Sequence, residues 1–356
     1  MSDYTAAFTA TTDLPGVPFE TMRSLVLAEI NEHDLIIQEE SPDSLIADAG
    51  DGLFGIRKGD RSETALIVAA NDQRGLFLFK WGAVERLKLV FPEAADAIRW
   101  SDGDASGGLP PNFQFVRVKS VTPVGNTFLR VTFEAEDFSA YGDDAIHFRV
   151  VLPPNDVTPE WPTLAPNGSV KWPEGPAAPH RPVYTARRVD QAASTLEMDV
   201  FLHDGGRMTA WTQDLMAGTD IRNTVGLIGP AGGGIIEDQH VLIGSDETGF
   251  PPVARLIESL PQGAQATVFL EAEHGANCAY PMPQRDGITL HWCTRSQGQT
   301  ASQSVLDVLD QHTGAVLWFA GEREDAKRVR DSAKAAGYDP KALRVSGFWT
   351  ANPATE

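Results

Sequence analysis

Between residues 17 and 31, "VPFETMRSLVLAEIN", apolar side chains recur at the spacing of one helix face. The stretches "SLIADAG", "GLFGIRKG", "TALIVAAND" and "GLFLFKW" then read as short strands between turns, and a helix is expected near "WGAVERLKLVFPEAADAIRW". This predicts a small α+β domain over residues 1–106. The segment 101–112, "SDGDASGGLPPN", is polar and rich in Gly and Pro, and reads as a linker. From Phe113 to Gly232 the pattern changes to short β runs, among them "FQFVRVKSVTPV", "TFLRVTFEA", "IHFRVVLPP", "VYTARRV", "TLEMDVFLHD" and "DIRNTVGLIGP". With one helical stretch, "MTAWTQDLMA", these predict a closed β-barrel with a single crossing helix, assigned to residues 107–235. A long proline-rich loop, "LPPNDVTPEWPTLAPNGSVKWPEGPAAPHRP", interrupts the barrel. Beyond Gln239 apolar strands alternate with amphipathic helices: "HVLIGS" before "PPVARLIESL", "ITLHWCT" before "SQSVLDVLDQH", "AVLWFAG" before "EDAKRVRDSAKAAG". That rhythm predicts a parallel α/β sheet over residues 236–356, a candidate nucleotide-binding half.

Three domains in 356 residues agree with about 150 residues per domain. Charge narrows the partners. With 29 Lys plus Arg against 49 Asp plus Glu, the net charge of -20 repels nucleic acids and anionic membrane surfaces, so any anion must bind at a local basic site. Cys278 and Cys293, the only cysteines, form no disulfide framework and fit a reducing compartment. The first residues carry no basic segment followed by an apolar one, and no run of about 18 apolar residues occurs. A soluble, cytoplasmic protein is expected.

Candidate chemistry begins at "RPVYTARRVD", 181–190. Read as one strand, Tyr184 and Ala186 share a face, and Thr185 and Arg187 share the other. A tyrosine ring, a neighbouring hydroxyl and nearby guanidiniums suit a flat, phosphate-bearing cofactor such as a flavin, although an ordinary strand with a basic face has the same composition. In "HDGGRMTAW", 203–211, Gly205 and Gly206 permit close backbone approach. Thr209 is expected to cap a helix whose N-terminus would accept a diphosphate. "GPAGGGI", 229–235, lacks the Lys-Ser or Lys-Thr of a phosphate loop and is read as an interdomain turn. Asp246, Glu247 and Thr248 follow a strand in the α/β part, at the carboxyl end where such sheets bind ligands, or else simply cap a helix. The histidines and cysteines have no metal-binding spacing and no GxSxG elbow occurs, so neither a structural metal site nor a hydrolase is expected.

Taken in order, "TFLRVTF", "HFRVVLP", "YTARR", "DVFLHDGGRMTAW", "GLIGPAGGG", "LIGSDETGFPPVARLIESLP", "HWCTR", "WFAGE" and "GFW" resemble the siderophore-interacting protein family of FAD-dependent ferric-siderophore reductases, relatives of the ferredoxin reductases. The resemblance implies a Greek-key β-barrel that binds FAD and a C-terminal α/β domain that binds NAD(P)H. The segment before Gly107 resembles an accessory domain carried by some members. It implies that Tyr184 and Thr185 meet the flavin ring, as catalytic and cofactor-binding residues, and that His203, Gly205, Gly206 and Thr209 hold the FAD diphosphate. It further implies that Asp246, Glu247 and Thr248 line the nicotinamide side, that Arg295, Gly321 and Glu322 face the rest of the dinucleotide, and that Trp349 lies near the flavin. Two positions depart from the family pattern. Pro182 replaces the arginine of Arg-x-Tyr-Thr, which shifts phosphate anchoring to Arg181, Arg187 or Arg188. Thr350 replaces the arginine after the terminal Gly-aromatic-Trp, and the tail "TANPATE" is acidic, which weighs against an acidic ferredoxin as electron donor. A ferric siderophore is the implied substrate and a nicotinamide the implied donor, NADPH ahead of NADH. The alternatives are a flavin reductase for another small acceptor and a non-catalytic flavin- or siderophore-binding protein. A monomer is expected.

Overall fold

A computed structural model describes residues 6–59, 63–218 and 223–351. Part of the expected strand "DIRNTVGLIGP" and the last residues of the acidic tail lie outside these. The chain forms two compact units, residues 1–114 with 156–179, and 115–155 with 180–356. Among the described residues no helix is long and apolar enough to cross a membrane.

The first unit is a five-stranded antiparallel sheet, order β1-β5-β4-β3-β2, carrying two long helices. Its strands are β1 (Phe8–Pro18), β2 (Ile36–Ser41), β3 (Ser44–Asp48), β4 (Gly52–Lys58) and β5 (Glu63–Ala70), and its helices α1 (Phe19–Glu32), α2 (Gln73–Val90) and α3 (Pro92–Ala97). In β1, Ala10, Thr12 and Leu14 are buried while Thr9, Thr11 and Asp13 face solvent, which is the period of a strand with one covered face. The reading of "GLFLFKW" as a strand is corrected: these residues lie inside α2. Asp72 caps that helix by accepting the Gly75 amide at 2.7 Å, and Leu76, Phe77, Val84 and Leu87 then fall on its buried face. A short apolar run is ambiguous between the two periods, and here the cap decides.

The segment read as a linker is also not free. Gly107 N–H donates to Leu164 O and Leu164 N–H to Gly108 O, both at 2.9 Å. Trp100 Nε1 donates to Asn167 O at 2.9 Å and Asn167 Nδ2 to Ala95 O at 3.0 Å. The proline-rich loop, with β9 (Thr163–Leu164) and β10 (Val170–Lys171), therefore belongs to the first unit, although it leaves the chain from the barrel segment.

The second unit begins with a seven-stranded antiparallel, barrel-like sheet, order β11-β8-β14-β6-β7-β13-β12. It consists of β6 (Phe113–Val124), β7 (Phe128–Glu134), β8 (His147–Val151), β11 (Val183–Thr185), β12 (Arg188–Asp190), β13 (Thr195–Phe201) and β14 (Thr224–Ile228), with one helix, α4 (Arg207–Met216). The stretch 181–190 is two strands rather than one. β11 pairs with β8 at one edge and β12 pairs with β13 at the other, so Ala186 and Arg187 carry the chain across and join the two edges. Ala186 N–H donates to Ile146 O and Arg187 N–H to Glu197 O, each at 2.8 Å. Thr185, Ala186 and Arg187 are consequently all buried, and the expected alternation of faces fails there.

The remaining chain forms a parallel sheet, order β17-β16-β15-β18-β19, from β15 (His240–Ser245), β16 (Gln265–Ala272), β17 (Ile288–Thr294), β18 (Val316–Glu322) and β19 (Leu343–Trp349). Helices α5 (Phe250–Ser259), α6 (Ala301–Leu306) and α7 (Arg323–Ala335) cover it. Strand order reverses between β15 and β18, the position at which open α/β sheets bind ligands.

Because residues 95–108 supply the hydrogen-bond partners of the loop at 164–167, deleting residues 1–106 alone should leave a less stable, aggregation-prone chain. Deleting 1–106 and also replacing 156–179 by a short turn should restore a monodisperse protein. Size-exclusion profiles and melting temperatures of the two deletions check this; equal behaviour would show that these contacts contribute nothing.

Candidate functional site

The first half of the site lies at the barrel edge. β11 is an edge strand, so alternate backbone groups of Val183–Thr185 have no strand partner on the outer side. Tyr184 is half-buried, and burial raises its phenol above the ordinary range, so it stays neutral. Thr185 is buried with its hydroxyl 3.1 Å from His147 Nδ1 on β8. Burial, reinforced by the charge of Arg255, lowers His147 to about 4 against an opposing hydrogen bond from the Tyr184 backbone. At neutral pH His147 is thus an uncharged partner of Thr185.

The start of α4 supplies an anion-binding geometry. Gly206 is the N-cap and no side chain caps the helix. Thr209, expected to do so, instead accepts the His203 amide at 3.3 Å. The first N–H groups of a ten-residue helix are therefore left to water or a ligand, with the positive end of the helix behind them. Gly205 has φ +75, where a side chain would be strained, and no atom lies within 4 Å of its Cβ direction. Cations gather nearby. His180 is lowered by burial and by the charge of Arg207, the first residue of α4, and Arg181 is lowered by burial and by the charge of Arg149. Arg149 also donates to Arg181 O at 3.0 Å. His147, Arg149 and Arg207 lie inside quoted stretches but have no role in the sequence reading. The signals for them are the His-x-Arg alternation on one face of β8 and an arginine directly after Gly-Gly at a helix start.

Arg187 is committed elsewhere, since its guanidinium makes two 2.7 Å bonds to the Glu258 carboxylate on α5. Arg188 is exposed on β12.

The second half lies at the sheet reversal. Asp246, at the end of β15, accepts the Thr248 amide at 2.9 Å and its hydroxyl on one oxygen, and Trp349 Nε1 at 2.7 Å on the other. A side chain at Gly321, the end of β18, would stand 2.9 Å from that second oxygen, so only glycine lets the strand pass. Glu322 pairs with Trp349 in the ladder, caps α7 through the Glu324 amide at 2.6 Å, and accepts the Ala351 amide at 3.2 Å. Asp246, Gly321, Glu322 and Trp349 are thereby one cluster.

Arg295 stands apart from this cluster, held by carboxylates. It bonds Glu247, donates from Nε to Glu271 at 2.6 Å, and has Glu273 at 3.6 Å. The buried Glu247 also accepts the Glu273 amide at 3.1 Å, and Glu271 accepts the Ala301 amide at 2.9 Å. Three carboxylates around one guanidinium leave a net negative surface.

The two halves meet through the end of β19. Phe348 stands edge-on to the His147 ring with centroids 5.7 Å apart, while its neighbour Trp349 bonds Asp246. A chain of contacts thus runs from Thr185 through His147 and Phe348–Trp349 to Asp246.

Comparison with known proteins follows the same division. Residues 116–234 match the model of the siderophore-interacting FAD-binding domain, and 237–352 that of the siderophore-interacting protein. Residues before 116 lie outside both spans. The chain is 26% identical over 250 residues to the NADPH-dependent ferric-chelate reductase of Escherichia coli, covering 67% of this chain and 93% of that protein. It is 28% identical over 235 residues to the ferric vibriobactin reductase ViuB of Vibrio cholerae, covering 62% and 82%. Among solved structures, the siderophore-interacting protein from Acinetobacter baumannii aligns with TM-score 0.54 at 18% identity, over 68% of this chain and 92% of that one. A siderophore utilization protein from T. fusca aligns with TM-score 0.53 at 24% identity, over 67% and 93%.

Burial pushes Asp246 up to about 6 from 3.8, against the opposing bonds from Thr248 and Trp349. A raised carboxyl favours the fold while protonated, so its contribution is full below about pH 4 and is lost as pH rises through 6, by up to about 3 kcal/mol. Relative to wild type, Asp246→Asn should remove that decline between pH 4 and 6. Denaturation midpoints across this window check it; parallel profiles for the two proteins would contradict it.

Proposed function

Residues 116–352 belong to the siderophore-interacting protein family, and on that premise we propose that this chain is a FAD-dependent oxidoreductase that uses NAD(P)H to reduce a ferric siderophore. The released ferrous iron would serve cellular iron acquisition. The observation that supports this reading best is the contact chain from Thr185 to Asp246, because it sets the barrel edge and the dinucleotide end of the sheet side by side within one unit.

The residues present fit FAD. An uncapped helix start, an open glycine, the cations Arg149, Arg181 and Arg207 and a neutral His180 between them suit a diphosphate, and the half-buried Tyr184 on an edge strand suits a flat ring system. In this reading His203, Gly205, Gly206 and Thr209 shape the diphosphate loop, with Arg181 in place of the arginine that Pro182 displaces. Bound FAD supplies the exchange between a two-electron donor and a one-electron acceptor. The protein's own tasks are placement and exclusion of water. Thr185 is fixed by a neutral His147, so its hydroxyl is held by an uncharged partner. Asp246 anchors Trp349, Gly321 lets the end of β18 pass the Asp246 carboxylate, and Glu322 holds the Ala351 amide; in this reading these residues face the dinucleotide. Reduction weakens the hold of hard oxygen donors on iron, so the substrate needs no acid or base from the chain to release it. Positioning of this kind supplies several kcal/mol of a barrier.

Both NADPH and NADH fit this reading. Arg295, neutralised by Glu247 and Glu271, brings no net positive charge to a 2′-phosphate, which reduces the sequence's preference for NADPH. Thr350 in place of arginine favours a second acceptor class, a free flavin or another small oxidant. Both cysteines are free and buried, which supports a reducing compartment, the cytoplasm. A site completed within one unit needs no second copy, which supports a monomer.

The purified chain should absorb near 450 nm, bleach anaerobically with either nicotinamide, and yield trapped ferrous iron when a ferric siderophore follows. Tyr184→Ala with Thr185→Ala should fold yet retain under a tenth of the FAD. A colourless wild-type protein, or full FAD and unchanged rates in the double variant, would overturn the reading. Turnover with free flavin but not with a ferric siderophore would select the second acceptor class.

A further inference from the structure

The first unit contains a feature that electron transfer does not use. Between α1 and α2, above the sheet, lies a half-open cavity of about 610 Å³ walled by Met22, Val26, Leu66, Val68, Phe79 and Leu87. Close-packed interiors contain few voids larger than a water molecule, whereas pockets for small organic ligands run from about 300 to 1,000 Å³.

The sequence keeps the space open at a cost. Gly82 lies in the interior of α2, where glycine destabilises a helix relative to alanine. Elsewhere a helical glycine is explained by a close neighbour, but no atom lies within 4 Å of where its Cβ would stand, and its backbone is ordinary helix. Gly82 lines the cavity, as do Ala28 and Ala83 on the two facing helices. Larger residues at these positions would fill it.

Polar groups converge at one end. Glu29 spans the two helices by accepting Arg86 Nη2 at 2.9 Å, and His33 Nε2 lies 3.3 Å from the same carboxylate. Glu29, Glu32 and His33 bring polar atoms within 4.8 Å of one another. Two carboxylates face one guanidinium, so the rim carries excess negative charge. A cationic or hydrogen-bond-donating group is the complement to that rim.

We propose that the first unit is a receptor for a small amphipathic amine, with its apolar body in the cavity between α1 and α2 and its ammonium group at Glu29 and Glu32. The reading is independent of the reductase assignment. Burying a chain of about 12 carbons in such walls is enough for micromolar binding.

The test uses the full-length chain and the fluorophore 1-aminoanthracene, displaced in turn by dodecylamine, dodecan-1-ol and dodecanoate. One saturable site is expected, with dodecylamine at least tenfold tighter than dodecanoate. Gly82→Leu should abolish the signal while FAD content stays unchanged. Gly82→Ala, which meets no atom, should raise the melting temperature and weaken binding only slightly, so a folding failure of the larger variant does not decide the matter. Glu29→Gln with Glu32→Gln should reduce dodecylamine affinity about tenfold and leave dodecan-1-ol unaffected. Absence of a saturable site, binding indifferent to Gly82→Leu, or tighter binding of dodecanoate would overturn the proposal. So would a dimer in light scattering that dissociates on Leu89→Asp and binds none of the probes, since a second copy would then cover the cavity.

Discussion

The arrangement of the second unit depends on how α5 holds the two-residue crossing at Ala186–Arg187. Arg187 makes a double bond pair with Glu258, and Arg255, one turn earlier on the same helix, donates to Ala186 O, to Gly142 O at 2.8 Å and to Asp143 at 2.9 Å. Arg187 and Arg255 are each only 9% exposed, so both charges are desolvated and must be matched. The crossing that closes the barrel is thus pinned to the helix following the nucleotide-side loop. Tyr184 and Thr185 lie directly before it. Their position is an outcome of this clasp more than of strand pairing, since β11 has only three residues and one neighbour.

A second contact layer supports the same junction. Asp199 on β13 is buried, accepts two bonds from Arg130 at 2.6 and 2.8 Å, and accepts Tyr280 Oη at 2.7 Å. Electrostatics across the unit are therefore local. A chain of net charge -20 pairs its buried arginines with carboxylates at structural joints, and sets Arg207 at the start of α4 beside His180, with Arg181 beside Arg149. Arg295 belongs to the structural set despite its position after a strand.

Much of the architecture was legible because its periods are strong. The alternating strands and helices after Gln239, the helix at 207–216 and the Asp246–Thr248 loop all follow from local pattern. Three things were not. The apolar run "GLFLF" fits both periods, and Asp72 settles it through a cap that periodicity does not register. The loop 156–179 belongs to the first unit through Asn167 and Leu164, contacts with residues 56 to 72 positions away that carry no composition signal. The stretch 181–190 has the composition of one strand, yet its middle crosses between sheet edges, and only the three-dimensional pairing with Ile146 and Glu197 reveals that. Candidate site residues were legible as types. Their partners were not: that Arg187 and Arg295 are spent on carboxylates is invisible without the fold.

If the clasp on Ala186–Arg187 positions the flavin side of the site, weakening it must weaken cofactor binding without touching any proposed cofactor contact. Glu258 is partly exposed, so its loss should cost about 1 to 2 kcal/mol, less than for a fully buried pair. The decisive measurement is the Kd for FAD of Glu258→Gln, from quenching of flavin fluorescence. The account predicts about tenfold weaker binding with secondary structure intact. An unchanged FAD affinity would contradict it.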